Sequence, residues 1–511
     1  MGDRSRHHAR EDRRRSLPYL TGPSAHRISD LVALRVAPAL AGAAIAHARL
    51  DSEWQALLVF VCMLGASLAL RQRHYPLHLI PFASATLYML APLLGAALAV
   101  AISGADAYAI SNVQIADMVP AVLGAWIVTG IGAWLTHSLR RDREVRMAVI
   151  GTHEFARGLE AELEAVGVSG YRVVGCIDPE GSCPTDEVAG VRCLGSMVLL
   201  RNTVLSEGLE LLVLGPLSAT TGADDSALPS EDGFRGGGVS RLEVFERVAD
   251  ACLDLPVSMI EAGQLYEELF GHVPLGTTTS AWFQYLLHPN YQPAWPISKR
   301  LFDLALGLVA AVFALPLLLV AALAIKIGDR GPILHRQTRL GEGGREIEMI
   351  KLRTMREAHR GPLWTQSEDD RISAVGRVLR RLHIDELPQL WLVLKGEMSL
   401  VGPRPEQPSI VAKLESRFSY YDRRHLVKPG ITGWAQVRCG YSGSQIGSAW
   451  KLCHDLYYLK RRSTLFDLLI MLETLSTVFV PEPMNRPDER FIVAATAGEE
   501  VQARLEVGQR A

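Results

Sequence analysis

Long apolar segments constrain the fold of this chain more than any other feature of its sequence. Four of them precede residue 141, at residues 31–48, 54–70, 77–102 and 118–139, and a fifth covers residues 304–325. A helix that crosses a bilayer needs about 20 apolar residues, so the sequence predicts a membrane protein. The chain has 511 residues, which is more than one hydrophobic core accommodates, so we expect further domains between these segments.

The charges of the connections between the first four apolar segments alternate. The tail at residues 1–28 and the loops at 71–74 and 140–143 are rich in arginine, whereas the two intervening loops are acidic. Basic loops remain on the cytoplasmic side of a membrane. The sequence therefore predicts four transmembrane helices within residues 29–140, with both ends in the cytoplasm. A soluble bundle of buried helices is the alternative, but it gives no reason for the alternation.

Residues 145–270 alternate between short apolar runs and helical patterns. Strands are predicted at 146–151, 171–178, 209–215 and 257–260, and helices at 154–166 and 241–253. Such alternation is typical of a parallel, doubly wound sheet, so we expect a Rossmann-like α/β domain. The first turn lacks the glycine spacing of dinucleotide-binding folds. Residues 151–270 also contain 21 acidic residues but only 7 basic ones. Both features favour a structural or regulatory domain, with nucleotide binding as the alternative.

The fifth apolar segment differs from the others because Pro316 lies at its centre and basic residues flank both ends. Proline removes a helix hydrogen bond and clashes with the preceding turn. Lys299, Arg300 and Lys326 favour the cytoplasmic face at both ends. The sequence therefore predicts a re-entrant helix over residues 301–326, which enters and leaves the membrane on the same side. A kinked helix that crosses the membrane is the alternative.

Residues 326–430 carry 20 basic and 14 acidic residues, which reverses the charge of the α/β region. The basic residues that stand next to glycine or proline, or in short clusters, are Arg336, Arg339, Lys351, Arg353, Arg380 and Arg404. The planar guanidinium of arginine suits phosphate, and the prolines on both sides of Arg404 fix the local backbone. The sequence therefore predicts a site for anionic substrates, which the net charge of −2 for the whole chain conceals.

Two adjacent carboxylates, Asp385 and Glu386, lie inside this basic block. One explanation is structural, because Asp385 would be an ordinary N-cap for a helix over residues 386–394. The other explanation is phosphoryl chemistry, in which one carboxylate attacks phosphorus and the other holds a divalent cation. A helix N-terminus would favour both an ionised carboxylate and a bound phosphate.

Residues 299–475 resemble the bacterial sugar transferase family, the monotopic polyprenyl-phosphate phosphoglycosyl transferases. The motifs that carry the resemblance are Lys299-Arg300-x-x-Asp303, Gly331-Pro332, Arg336-Gln337-x-Arg339-x-Gly341, Lys351-x-Arg353-Thr354, Asp385-Glu386-x-Pro388, Gly402-Pro403-Arg404-Pro405 and Gly430-x-x-Gly433-Trp434-x-Gln436. Four membrane helices and an α/β domain ahead of these motifs are similar to the long members of the family. This arrangement is that of a multi-domain membrane protein with a mixed, mainly helical catalytic domain.

The resemblance implies transfer of a sugar 1-phosphate from a UDP-sugar to undecaprenyl phosphate, with release of UMP, through a covalent intermediate. The site residues that it implies are Asp385 as nucleophile, Glu386 as Mg²⁺ ligand, Arg380 and Arg404 as phosphate ligands, and Gly433, Trp434 and Gln436 in the nucleotide-sugar region, with Pro316 as the helix break. It implies the bacterial inner membrane, with the catalytic domain on the cytoplasmic face. The partners would be the machinery of exopolysaccharide, capsule or O-antigen assembly, not nucleic acid, and the α/β domain would suit a homodimer.

The predicted organisation is a basic tail at 1–28, four membrane helices at 29–140, an α/β domain at 145–270, a linker at 271–298, a catalytic domain at 299–480 and a tail at 481–511.

Two other functions remain open. A processive glycosyltransferase would need a metal-binding Asp-x-Asp motif, and the C-terminal block has none. A non-enzymatic scaffold or polymer-length regulator would require neither Asp385 nor magnesium.

Overall fold

The computed structural model describes residues 37–47, 57–63, 90, 92–99, 115–140, 144–166, 168, 170–179, 191–215, 241–275, 278, 283, 296–329, 331–355, 372–418, 420–439 and 445–479. The chain divides into two compact units, of which the first comprises residues 1–74 and 84–265 and the second residues 75–83 and 266–511. The predicted tails at 1–28 and 481–511, and most of the predicted linker, lie outside the described residues.

Apolar helices in the first unit pack on one another through small side chains. Helices α1 (Ala37–His47) and α2 (Ile115–Arg140) share one apolar cluster with helical residues at 57–63 and 92–99. Ala46 is fully buried in it, because small side chains let helix backbones approach closely. These helices coincide with parts of the four predicted spans. In the part of this unit that the structure describes, the apolar helical stretches are Ala37–Ala46 and Val119–Ile131, the second of which lies within the 26 residues of α2.

A five-stranded parallel sheet forms the core of the rest of the first unit. Its strands are β1 (Val145–Ile150), β2 (Tyr171–Asp178), β3 (Cys193–Ser196), β4 (Leu211–Leu214) and β5 (Ser258–Glu261), and the accompanying helices are α3 (His153–Val166), α4 (Leu200–Glu207), α5 (Arg241–Cys252) and α6 (Ala262–Leu269). The order β3-β2-β1-β4-β5 changes direction between β1 and β4, as in doubly wound folds. The predicted parallel sheet is therefore confirmed. Strand β3 was not predicted, because four half-buried residues produce no periodic pattern.

The crevice between β1 and β4 is where doubly wound folds bind their ligands. Here Gly215, which follows β4, lies against the Phe155 ring, so closely that a Cβ on Gly215 would be 3.0 Å from a ring carbon. Phe155 is only 1% exposed, and Thr152 caps its helix by accepting a hydrogen bond from the Phe155 backbone at 3.3 Å. Apolar packing therefore occupies this part of the crevice, and the structural or regulatory role of the domain stays a prediction.

The longest helix of the second unit is α7 (Pro296–Asp329), which runs for 34 residues and contains Pro316. Within the described residues, its stretch Ile297–Gly328 is the one helix that is long and apolar enough to cross a membrane. Gly307, before the proline, lies near Val393, and Gly328, after it, lies near Val375. Both arms of the helix therefore contact the same unit. The re-entrant course stays a prediction.

The remaining elements of the second unit are mostly short helices, which agrees with the predicted mainly helical character. They are β6 (Leu334–Leu340), β7 (Glu346–Leu352), α8 (Ala374–Arg381), a 3₁₀ helix (Ile384–Gln389), α9 (Leu390–Lys395), β8 (Ser399–Val401), α10 (Pro408–Glu415), a second 3₁₀ helix (Tyr421–Leu426), β9 (Gly430–Thr432), α11 (Trp434–Cys439), α12 (Gln445–Arg461) and α13 (Thr464–Phe479). Strands β6 and β7 form an antiparallel hairpin, and β8 pairs in parallel with β9.

Lys299 and Arg300, at the start of α7, are bound by the protein rather than exposed to a membrane surface. Lys299 Nζ lies 2.6 Å from an Asp467 carboxylate oxygen and 3.2 Å from Asp303. Arg300 donates to two backbone carbonyls at the end of α9, at 2.6 and 2.7 Å. Buried charges need such partners. These two residues therefore fasten α7 to the catalytic unit, and the cytoplasmic flank that they predicted stays a prediction.

The residues immediately after 265 belong to the second unit and pack against its C-terminal helices. The indole nitrogen of Trp434 donates to the Gly271 carbonyl at 2.6 Å, and the Val273 backbone nitrogen donates to the Cys453 carbonyl at 3.0 Å. Glu267 forms ion pairs with two basic residues at the end of α12. These contacts all lie within the second unit, to which residues 266 onward belong.

Candidate active site

Asp385 and Glu386 lie in the 3₁₀ helix that connects α8 to α9. The residue before this helix, His383, has a φ of 54°, a left-handed conformation that is uncommon for residues other than glycine. Asp385 lies inside the first turn, and no side chain caps the helix. The structural explanation, in which Asp385 is the N-cap of a helix beginning at Glu386, is therefore wrong.

Glu386 is held by two cations that come from different elements. Lys351, in β7, donates to its Oε1 at 2.7 Å. Arg404, in the loop after β8, donates to Oε1 at 2.6 Å and to Oε2 at 3.2 Å. Hydrogen bonds between ionised groups are the strong ones, and a two-point arginine contact also fixes orientation.

Lys351 and Arg404 together clamp the Glu386 carboxylate, and their positive charges keep it ionised. Burial opposes the charge of this carboxylate, but Arg404 and Lys351 outweigh burial and hold its pKa well below the ordinary range. For Lys351, burial and the nearby Arg404 lower the pKa, and Glu386 opposes the decrease. The three groups therefore form one cluster with a formal charge of +1, in which Glu386 is the most buried member and the Arg404 side chain is 41% exposed.

The neighbouring Asp385 is in a different state. Its side chain is largely buried, and among the residues that the structure describes none donates a hydrogen bond to its carboxylate. Burial, and then repulsion from Glu386, raise the pKa of Asp385, while Lys351 and Arg380 oppose the increase. A carboxylate with unused lone pairs beside cations has the properties of a nucleophile toward phosphorus.

Arg380 reaches the site from α8. Its Nε donates to the Thr354 hydroxyl at 2.9 Å, and its charge lowers the pKa of Asp385. Helix α8 begins at the N-cap Ser373, whose hydroxyl accepts from the Gly376 backbone nitrogen at 2.9 Å. A Cβ on Gly376 would lie 2.1 Å from the Thr354 carbonyl oxygen. Glycine at this position therefore permits the approach that brings Arg380 to Thr354.

The other predicted basic residues have partners outside the pair of carboxylates. Arg353 donates to the Met355 carbonyl at 3.0 Å and covers Gly331. Arg339 donates to Gln337 at 2.7 Å. Arg336 forms an exposed ion pair with Glu348 at 3.0 Å. Successive side chains of a strand point to opposite faces, so Arg336 lies on the face of the hairpin opposite the one that carries Lys351.

The predicted nucleotide-sugar residues 433, 434 and 436 have packing roles in this structure. Trp434 is only 1% exposed and packs against Phe466. Gln436 donates to the Ile431 carbonyl at 3.1 Å. Gly433 lies against the Gly402 carbonyl, which a Cβ would approach to 2.2 Å. Gly433 therefore packs against the start of the loop that carries Arg404, and the described contacts of Trp434 and Gln436 are with groups other than the two carboxylates.

A buried ionic network behind Arg404 was missed at the level of sequence. Arg424, from the second 3₁₀ helix, is 3% exposed. It lies 2.9 Å from a Glu406 oxygen and 2.7 Å from an Asp455 oxygen, and it donates to the Arg404 carbonyl at 3.1 Å. No sequence pattern distinguishes it from its half-exposed neighbour Arg423, because burial of one of two adjacent arginines depends on the tertiary fold.

The geometry defines a site for phosphate chemistry, with one available carboxylate, one clamped carboxylate and several cations beside a long apolar helix. Residues 294–481 match the family described as bacterial sugar transferase. Several relatives share this region at more than 35% identity, and three of them are covered over about three quarters or more of their length. The chain belongs to the bacterial sugar transferase family.

Three of these relatives illustrate the match. The chain is 37% identical over 243 residues to the UDP-N-acetylgalactosamine-undecaprenyl-phosphate N-acetylgalactosaminephosphotransferase of Aeromonas hydrophila, which is 46% of this chain and 55% of that protein. It is 43% identical over 199 residues to the UDP-glucose:undecaprenyl-phosphate glucose-1-phosphate transferase of Caulobacter vibrioides, which is 38% of this chain and 74% of that protein. It is 37% identical over 187 residues to the exopolysaccharide production protein PSS of Rhizobium leguminosarum bv. phaseoli, which is 35% of this chain and 94% of that protein.

Proposed function

We propose that this chain transfers a sugar 1-phosphate from a UDP-sugar to undecaprenyl phosphate, giving undecaprenyl-diphosphate-sugar and UMP. The observation that carries the proposal is the unequal state of two adjacent carboxylates. Glu386 is clamped by Lys351 and Arg404, whereas Asp385 accepts no hydrogen bond from the described residues. The names of the Aeromonas and Caulobacter relatives, which are undecaprenyl-phosphate sugar phosphotransferases, support the same reaction.

The reaction proceeds through two displacements at one phosphorus atom. An Asp385 oxygen attacks the phosphorus that bears the sugar, and the bond to the bridging oxygen breaks, so that UMP leaves with that oxygen and its electron pair. A phosphate oxygen of undecaprenyl phosphate then attacks the same phosphorus and releases Asp385 as a carboxylate. Arg404, Arg380 and Lys351 stabilise the charge on the transferring phosphoryl group.

Magnesium belongs to the proposal as well. Mg²⁺ in phosphoryl-transfer sites is held by one or two carboxylates together with substrate phosphates. A carboxylate offers about four lone pairs, and the clamp uses three of those of Glu386, so the residues fit a metal held through Glu386 Oε2 and substrate oxygens. The ion would neutralise phosphate charge. Arg404 and Lys351 orient the Glu386 carboxylate for that role.

UMP release tests the proposal directly. Purified full-length protein, incubated with undecaprenyl phosphate, Mg²⁺ and a panel of UDP-sugars, is expected to release UMP with at least one of them. Asp385→Asn is expected to abolish release while the protein stays folded in membranes. A processive glycosyltransferase would release UDP, and a scaffold would release neither nucleotide. Near-normal transfer by Asp385→Asn would contradict the assignment of the nucleophile.

The covalent intermediate needs an experiment of its own. With a UDP-sugar labelled in the sugar and no undecaprenyl phosphate, the wild-type protein is expected to retain label that survives denaturation, in an amount up to one equivalent. Asp385→Asn is expected to retain none, and Asp422→Asn, at an exposed aspartate of the same unit, is expected to retain as much as the wild type. Labelling that persists in Asp385→Asn would contradict the intermediate.

The proposed membrane arrangement has the catalytic unit on the cytoplasmic face of the bacterial inner membrane, four helices within residues 29–140 and a re-entrant α7. Support comes from the exposed apolar side chains between the two arms, such as Val312, Phe313 and Val320. Both arms pack on the same unit, and a proline at the midpoint allows a bend. A straight crossing would carry one arm away from that unit.

Cysteine labelling distinguishes the two courses of α7. Ile297 and Ile327 are 77% and 71% exposed, and neither carries a hydrogen bond that a cysteine would break. In inverted membrane vesicles, an impermeant maleimide is expected to label Ile297→Cys and Ile327→Cys equally. Labelling of one position only, with the other reactive in spheroplasts, would mean that the helix crosses the membrane.

The proposed partners include a second copy of the chain and the machinery of polysaccharide assembly. Exposed apolar side chains of the α/β sheet domain support a self-association surface, with Val198 at 91% and Leu253 at 80% exposed. A mass measured by light scattering in detergent tests the homodimer. The name of the Rhizobium relative, an exopolysaccharide production protein, supports a role in polysaccharide assembly.

A further inference from the structure

The loop that carries Arg404 is held on its far side by Arg424. The backbone carbonyls of the loop are each bound by a different element: the Pro403 carbonyl accepts from the Gly430 nitrogen and the Glu406 carbonyl from the Leu340 nitrogen, both at 2.9 Å. Between them, the Arg404 carbonyl accepts from Arg424 Nη2 at 3.1 Å. The proline on each side of Arg404 has no backbone N–H to donate. This part of the loop is therefore held mainly through its carbonyl oxygens, which accept hydrogen bonds.

Arg424 is itself oriented by polar partners at both of its terminal nitrogens. Its Nη1 lies 2.9 Å from Glu406 Oε1 and donates to the Tyr421 hydroxyl at 2.6 Å. That hydroxyl donates to Glu406 Oε2 at 2.6 Å, and Asp455 binds Nη2 at 2.7 Å. Both terminal nitrogens of the Arg424 guanidinium are therefore oriented, whereas its Nε has no hydrogen-bond partner among the described residues. Lysine could not reproduce these contacts because it offers a single nitrogen.

Stability alone does not account for this network. Taking several charges out of water is costly, and apolar replacements of buried ionic groups are often neutral or stabilising. Burial raises the pKa of Asp455 to about 6 even though Arg424 opposes the increase, so the cost of desolvation is present here. Buried hydrogen bonds of this kind do, however, restrict the backbone that they hold.

We propose that Arg424 is a positioning residue for the transfer reaction: it fixes the backbone of Arg404 so that the Arg404 guanidinium meets Glu386 and the transferring phosphate in one orientation. This inference rests on the proposed function. Only one residue separates Arg424 from Glu386. Arg424 contacts the main chain of Arg404, and the Arg404 side chain makes the two-point contact with Glu386. A misplacement of about 1 Å in a catalytic site can cost about a hundredfold in rate.

The test is a double-mutant cycle in the full-length protein. Arg424→Lys is expected to lower kcat for UMP release by about tenfold or more, with KM for the UDP-sugar nearly unchanged, because the contact that it perturbs acts on the transition state. In an Arg404→Ala background, Arg424→Lys is expected to cause no further loss, because its effect runs through Arg404. Equal fold losses in both backgrounds would overturn the proposal, as would full activity of Arg424→Lys.

A milder variant keeps the test decisive if Arg424→Lys fails to fold. Tyr421→Phe removes one hydroxyl from the network and retains the buried ring, and it is expected to lower kcat by a few-fold in the presence of Arg404 and not in its absence. Glu267→Gln is the matched control, since it breaks another buried ion pair of the same unit. It is expected to lower the thermal midpoint and leave kcat unchanged.

The cycle separates this inference from the function on which it rests. Absence of UMP release by the wild-type protein, or wild-type kcat in Arg404→Ala, would contradict the proposed function and its phosphate site. An active wild type that depends on Arg404, combined with equal losses from Arg424→Lys in both backgrounds, would overturn only the positioning role.

Discussion

The guanidinium of Arg404 donates two hydrogen bonds to the carboxylate of Glu386, at 2.6 and 3.2 Å. The contact distinguishes Glu386 from the adjacent Asp385, which accepts no hydrogen bond from the residues that the structure describes. Two carboxylates that are neighbours in sequence thereby acquire different chemistry. One is ionised and fixed, and the other is available for attack.

Replacing Arg404 by lysine tests the two-point contact. Arg404→Lys retains the positive charge but offers one nitrogen to two carboxylate oxygens, so we expect kcat for UMP release to fall by about tenfold or more. The control is Arg423→Lys, since Arg423 is half exposed and its nearest carboxylate, on Asp422, is 3.7 Å away. Equal rates for the two variants would show that charge alone suffices at position 404.

The pH dependence of the first displacement depends on Arg380. Asp385 must be ionised to attack, so activity rises with pH through its pKa, and Arg380 lowers that pKa. Arg380→Gln removes this cation and is therefore expected to move the acidic limb of the rate profile to higher pH. Single-turnover UMP release without undecaprenyl phosphate gives the profile. Arg377→Gln, on the exposed side of the same helix, should leave the limb in place; an unmoved limb in Arg380→Gln would contradict the prediction.

The attachment of α7 depends on the charge of Lys299. Lys299→Met leaves Asp303 and Asp467 as buried carboxylates without their cation, and loss of one partner of a buried ion pair costs about 3–5 kcal/mol. We expect a clear decrease of the thermal midpoint in detergent. Lys395→Met breaks a half-exposed pair with Glu397 at 3.7 Å, which is worth about 0–1 kcal/mol, and should change the midpoint little.

Gly376 tests how closely α8 must approach Thr354. An alanine Cβ at this position would lie 2.1 Å from the Thr354 carbonyl oxygen, so Gly376→Ala is expected to displace the helix that carries Arg380 and to lower both the thermal midpoint and kcat. Gly328→Ala provides the comparison, because its Cβ would meet Val375 at an ordinary 3.6 Å. Similar midpoints for the two variants would show that the helix can shift without cost.

The predictions from sequence succeeded where the information is local. The alternation of apolar runs and helical patterns predicted the parallel sheet of residues 145–270, and the apolar run around Pro316 predicted a long helix, which the structure has as Pro296–Asp329. The order of the motifs predicted the family. Periodicity and motif order depend on residues close together in the chain, so they can be read without knowledge of the fold.

The roles of the charged residues were decided by the tertiary structure. Lys299 pairs with Asp467, 168 positions away, and Glu386 pairs with Arg404, 18 positions away. The fold, not the spacing, determines which of several arginines meets a carboxylate and which faces water. For the same reason the sequence did not reveal that Trp434 is core or that Arg424 supports the Arg404 loop. The sequence determined the segments and the chemistry available to this protein, and the fold decided which of its charges are buried together, because burial makes their interactions strong.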